Sequence, residues 1–186
     1  DCEQLNKLVG DAYVDIEDGN LEHAAQIFDT VLQHSPKAQQ IVLDRATIAF
    51  QLFDYNKFKQ LTNDFDKEFS YDGYYVYRKA IVSFCDGQMG QAMRGIKKSQ
   101  SLSDSPKNAS RTFHSIEKVN KHYPTAEKYL NDGKVEDAKR HFKIAKDNAV
   151  SFCPNDSVLM KTINMFELKI LKKEKSREEL LEVLND

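Results

Sequence analysis

The sequence predicts an all-α protein, and three observations lead there. Its 186 residues include only seven Gly and four Pro, few for a chain that would need the many tight turns of a β-protein. Strict alternation of apolar and polar residues, the mark of a half-buried strand, is hard to find anywhere along it. One pattern also returns at a fixed interval. It reads Gly19-Asn20-Leu21 with Ala24 and Phe28, then Phe53-Asp54-Tyr55 with Phe58 and Thr62, then Gly87-Gln88-Met89 with Ala92 and Ile96, in steps of 34 residues.

A fourth copy, Gly133-Lys134-Val135 with Ala138 and Phe142, follows after 46 residues, and a weaker fifth places Leu180 where the small residue stood. Each copy reads as two amphipathic helices. The first ends at the Gly or Phe turn position, and the second packs a small residue at a close crossing with an aromatic one four positions later. The repeat boundaries fall at 3–36, 37–70, 71–106 and 110–154, with 155–186 a partial or capping unit. One such pair cannot bury its apolar face alone, so neighbouring pairs are expected to stack.

The longer fourth step has its own reading. From Ser110 to Asp132 no Gly ends a helix, and Phe113, Ile116, Val119, Tyr123, Ala126, Tyr129 and Leu130 keep helical spacing. A connecting helix of about 20 residues, roughly 30 Å long, is expected. Pro124 should kink it or split it near Tyr123, because proline lacks the amide hydrogen and crowds the preceding turn.

Composition excludes several function classes. The chain is 40% hydrophobic and 30% charged with a mean hydropathy of −0.62, and no apolar run approaches the roughly 18 residues of a membrane span. Lys and Arg (27) nearly balance Asp and Glu (29), for a net charge of −2, which argues against phosphate-backbone binding as the main function. The histidines, His23, His34, His114, His122 and His141, are scattered without an i, i+4 pair, and His141 reads as a helix-surface residue. No phosphate-binding Gly loop, nucleophile elbow or Cys/His constellation appears, so neither enzyme, metal nor cofactor is expected. The Lys172-Lys173-Glu174-Lys175 run reads as a solvated turn.

Cys2, Cys85 and Cys153 allow at most one disulfide. Cys85 stands among Ile81, Val82 and Phe84 and reads as a small hydrophobe. A start at Asp1 without Met is compatible with removal of an upstream segment such as a signal peptide. The sequons Asn108-Ala-Ser110 and Asn155-Asp-Ser157 add a little weight to a secretory-pathway protein.

The period and its marks resemble the tetratricopeptide (TPR) repeat, whose pattern has a Leu-Gly-x-x-Tyr-like first helix and a closing proline. Val9-Gly10 and Tyr13 echo that first helix, and Pro36, Pro106 and Pro154 supply closing prolines. The resemblance implies a right-handed α-solenoid with one long connecting helix. Arg111-Thr-Phe-His-Ser-Ile-Glu-Lys-Val-Asn-Lys and Ala126-Glu-Lys-Tyr-Leu-Asn-Asp-Gly133-Lys-Val-Glu-Asp-Ala138 look like a segment of the TPR region of the DnaJ subfamily C member 3 co-chaperones, a family first named for protein-kinase inhibition. The 34, 34, 46 rhythm is similar too. This resemblance implies a non-enzymatic module of an endoplasmic-reticulum co-chaperone that binds unfolded polypeptide and passes it to the lumenal chaperone BiP through a J domain. No His-Pro-Asp triplet is present, so the J domain of such a protein would lie beyond Asp186. The alternative function is a TPR scaffold docking one specific folded partner with no chaperone activity, and the alternative to the lumen is the cytoplasm.

In a TPR solenoid the first helices line the concave groove. The repeat frame then selects Gln40, Leu43, Asp44, Thr47 and Phe50 in the second repeat, and Tyr74, Tyr77, Arg78, Ile81 and Phe84 in the third. The expected client-binding residues are Leu43, Phe50, Tyr74, Tyr77 and Ile81, because an unfolded client offers apolar side chains that a rigid apolar groove can bury. Tyr71, Tyr74, Tyr75 and Tyr77 cannot all face one side of a helix, so some must reach solvent or a partner. The carboxylate clamp of cytosolic chaperone-binding TPR domains would fall on Lys7, Asp11, Asp44, Tyr74 and Arg78. Two acids there disfavour an acidic peptide terminus.

Overall fold

The computed structural model describes residues 1–186, and every regular element in it is helical. The nine helices are α1 (Cys2–Glu17), α2 (Leu21–His34), α3 (Gln39–Gln51), α4 (Tyr55–Thr62), α5 (Gly73–Cys85), α6 (Met89–Gln100), α7 (Ala109–Asn131), α8 (Val135–Val150) and α9 (Val158–Asn185). They form two compact units, residues 1–71 with α1 to α4 and residues 72–186 with α5 to α9. Within each unit, helices consecutive in the chain pack on one another.

The four repeat turns share one backbone device. Gly19, Phe53, Gly87 and Gly133 all sit in the left-handed region, with φ of 80°, 60°, 81° and 75°. At each, two hydrogen bonds close the end of the preceding helix. Gly19 N donates to Ile16 O and Asn20 N to Asp15 O, at 3.1 and 2.7 Å, and the same pair recurs at Phe53/Asp54, Gly87/Gln88 and Gly133/Lys134. These bonds satisfy carbonyls that the helix end leaves without partners, and they reverse the chain within two residues.

The second helix then starts in a fixed register. Ala24, Phe58, Ala92 and Ala138, five residues past each turn, are at most 2% exposed, and Phe28, Thr62, Ile96 and Phe142 are buried as well. The close crossing of α5 and α6 depends on Gly95, where an added Cβ would come within 2.8 Å of the Ala80 Cβ. At the foot of that pair Gly73 N donates to Asp104 Oδ1 at 2.8 Å, and Ser99 Oγ donates to the Gly73 carbonyl at 2.7 Å.

Helix α7 is continuous over 23 residues and is not split at Pro124. Pro124 and Asn120 both lie on the exposed side, so water can reach the carbonyl that proline leaves without a donor. The end of the chain departs from the repeat pattern. Lys172 to Lys175 lie inside α9 rather than in a turn, and Leu180 is 60% exposed instead of occupying a crossing, so residues 155–186 contain a single helix and no fifth pair. The helix runs through the 172–180 stretch without a break, and within it Glu174 is held to Lys139 of α8.

Cys85 is buried as its apolar neighbours suggested, yet it is not a free thiol. It forms a disulfide with Cys153, joining the end of α5 to the turn after α8 across 68 residues, with the Cα atoms 5.3 Å apart. Cys2 is free and exposed.

Two stability predictions follow from these elements. At Gly19, Gly87 and Gly133 an added Cβ meets nothing within 4 Å, so the demand there is conformational and not spatial. Phe53→Gly should therefore raise the unfolding free energy read from urea titration by about 0.5–1 kcal/mol, whereas Gly87→Ala should lower it by about 1 kcal/mol. Reducing the Cys85–Cys153 bond should remove about 2–4 kcal/mol, read as lost hydrogen-exchange protection in residues 72–186 with residues 1–71 unaffected.

Candidate binding surfaces

In the first unit, α1 and α3 meet through polar groups. The Tyr13 hydroxyl donates to Asp44 Oδ2, and Gln40 Nε2 donates to Asp44 Oδ1 at 3.0 Å. Burial first, then the bond to Asp44 and its negative charge, push the Tyr13 phenol up to about 12. Beside this contact α3 presents Leu43, Thr47 and Phe50 along one face, all half-buried. The Phe50 ring stacks on Tyr55 with centroids 5.2 Å apart and meets Phe58 edge-on at 6.2 Å. On the opposite side Arg45, only 8% exposed, holds α3 to α2 through Asp29, with Nε 2.9 Å from Oδ1.

In the second unit the tyrosine run divides as helix geometry requires. Tyr74 is 46% exposed and lies under the Arg78 guanidinium, 5.5 Å from the ring centroid, while Tyr75 is 2% exposed. Tyr77 is 7% exposed, its hydroxyl 2.8 Å from Thr112 Oγ1 of α7, and Ile81 is 2% exposed. These two therefore belong to the core and offer no surface to a ligand. Their place on α5 is right for a first-helix face, but there Tyr77 is tied to Thr112 of α7. Of the five expected client-binding residues, Leu43, Phe50 and Tyr74 keep accessible surface. Tyr71, in the first unit, is 83% exposed.

Asp44 is engaged by Tyr13 and Gln40, and Lys7 and Asp11 are exposed. Burial lowers the pKa of Arg78, with Asp72 and the tyrosines opposing that shift.

A groove of about 900 Å3 in the second unit was not anticipated. Arg111, His114, Lys118, Lys121 and His122 line it from one face of α7, with Met93 of α6 beside them. Glu117 pairs with His114 at 3.1 Å, leaving the wall positively charged. The recurrence of Arg111, Lys118 and Lys121 at helical spacing was visible in the sequence, but the neutral overall charge hid it.

At the far end of this wall His122 meets His141 of α8, Nδ1 to Nδ1 at 2.8 Å, and the His141 ring stacks on Tyr129 with centroids 5.3 Å apart. His141 is thus half-buried between helices rather than a plain surface residue. Burial, then His141, Lys121 and Lys118, lower the His122 pKa. Because the folded state favours neutral imidazole, this contribution is complete above 6.5, the ordinary value, and fades as pH falls below it. No group of three or more metal-ligating side chains is present.

No protein-family model, curated protein or solved structure matches this chain. None of its helices is long and apolar enough to cross a membrane.

Absorbance titration should show the Tyr13 step near pH 12, and Tyr13→Phe should abolish it. Asp44→Asn should move it downward without restoring the usual 10, since burial remains. A raised phenol pKa stabilises the fold below pH 10, and that stability should be lost as pH rises from 10 to about 12.

Proposed function

We propose that this chain is a non-enzymatic, TPR-type protein-binding module that holds unfolded or extended polypeptide as part of an endoplasmic-reticulum co-chaperone. The observation that carries the reading is the accessible apolar and aromatic surface on the first helices of successive pairs, Leu43 and Phe50 on α3 and Tyr74 on α5. Such side chains lose little entropy when they cover an apolar segment, because the helices already hold them in place. The repeated left-handed turns agree with a TPR lineage. The Cys85–Cys153 disulfide agrees with an oxidising compartment, where such bonds persist.

The basic groove along α7 favours a second reading, a scaffold that docks one dedicated partner through an acidic segment. The two readings separate in one experiment. A holding module should suppress aggregation of two unrelated denatured proteins at near-stoichiometric ratio, and Leu43→Asp together with Tyr74→Asp should weaken this severalfold while far-ultraviolet circular dichroism stays unchanged. Suppression that survives both substitutions would remove the first-helix surface from consideration. Suppression of neither client, with a single partner captured in a manner lost on Lys118→Glu and Lys121→Glu, would establish the scaffold instead.

A further inference from the structure

Helix α9 presents two different faces. Leu159, Ile163, Phe166 and Ile170 are buried, and Lys139 and Lys146 of α8 reach Glu174 and Glu167 at 2.9 and 2.6 Å. Past Glu174 every residue to the end of α9 is exposed. Eleven residues of helix without packing, 175–185, are marginal in water, since helical stability in proteins comes mainly from a packed face.

The exposed side has a definite pattern. Met165, Leu168, Lys172, Glu179 and Val183 follow one another at steps of 3, 4, 7 and 4 residues, which places them on one face, and the apolar members are 64%, 66% and 71% exposed. The charges are segregated along the same helix. Residues 169–177 carry five positive groups (Lys169, Lys172, Lys173, Lys175, Arg177) against Glu174, a net of +4, and residues 178–186 carry Glu178, Glu179, Glu182 and Asp186, a net of −4. The pattern is complementary to its own reverse. Turned end for end about the midpoint between Lys175 and Ser176, the helix sets Leu168 opposite Val183 and Lys172 opposite Glu179, each twice.

We propose that α9 pairs antiparallel with α9 of a second copy of this chain, and that this pairing is an interaction surface independent of the polypeptide-binding reading. The overlap from Met165 to Asp186 is roughly 33 Å long. It covers Met165, Leu168 and Val183 of each copy and puts each positive block against a negative one. A parallel arrangement would put like charges together, so the charge pattern selects orientation as well as partner.

The test is sedimentation equilibrium of the whole 186-residue chain over roughly 10–200 µM, the range in which an interface below standard size shows itself. The weight-average mass should rise from 21.4 kDa toward twice that value. Lys172→Glu and Glu179→Lys should each weaken association about tenfold, because each puts like charges opposite one another twice. An equimolar mixture of the two variants should recover it, as should the chain carrying both changes, since either restores every opposite pair. That recovery also answers the objection that a substitution merely unravels the helix. A mass of 21.4 kDa throughout, single variants that associate like the parent, or a mixture no better than its components would each overturn the pairing.

Discussion

A backbone held at φ between 60° and 81° at Gly19, Phe53, Gly87 and Gly133 is the constraint from which the remaining architecture follows. It lets two consecutive amides turn back onto the helix just completed, so the carbonyls at that end are satisfied without solvent or side chains. The next helix leaves in a set direction, and the fifth and ninth residues after the turn always face inward. Phe53 shows that conformation ranks above residue type. A bulky side chain occupies the left-handed position with its ring 56% exposed, and the same two hydrogen bonds form. The turn is therefore demanded by the packing on both sides of it.

Cross-links specific to each unit add to this common device. In the first unit the Arg45–Asp29 pair and the Tyr13–Asp44 contact tie α3 to α2 and to α1. The second unit relies on close backbone approach at Gly95, on Tyr77 with Thr112, and on a disulfide that brings the turn after α8 back to α5. Loop closure across 68 residues restricts the unfolded chain more than any one of these contacts. The ion pairs of α8 with α9 lie partly in water and contribute little individually, but they mark where α9 stops being supported.

Two kinds of surface result. On the first helices, apolar and aromatic groups stand half-open where the neighbouring helix does not reach them, as Leu43, Phe50 and Tyr74 do. Along α7 the length of the helix exposes a basic wall with a groove beside it, next to the pair of His122 with His141, where burial favours the neutral form of His122. The first suits sequence-tolerant contact, since apolar burial is not directional. The second suits a partner of definite charge.

By itself the sequence determined the helical class, the four turns and the inward register of the second helices, because these depend on local conformation and on a spacing of three to four residues. The run of α7 from 109 to 131 was legible for the same reason. Only the tertiary structure decided which first-helix residues remain open. Leu43 and Tyr77 occupy comparable face positions, yet one is half-buried and the other is buried with its hydroxyl tied to Thr112 of α7, 35 residues farther along the chain. The same holds for the Cys85–Cys153 bond and for His122 beside His141, which are distant in sequence and become neighbours only through packing. The end of the chain differs again: its charges and leucines are plain in the sequence, but that they lie on one unbroken helix, exposed at every residue past Glu174, is a property of the folded molecule.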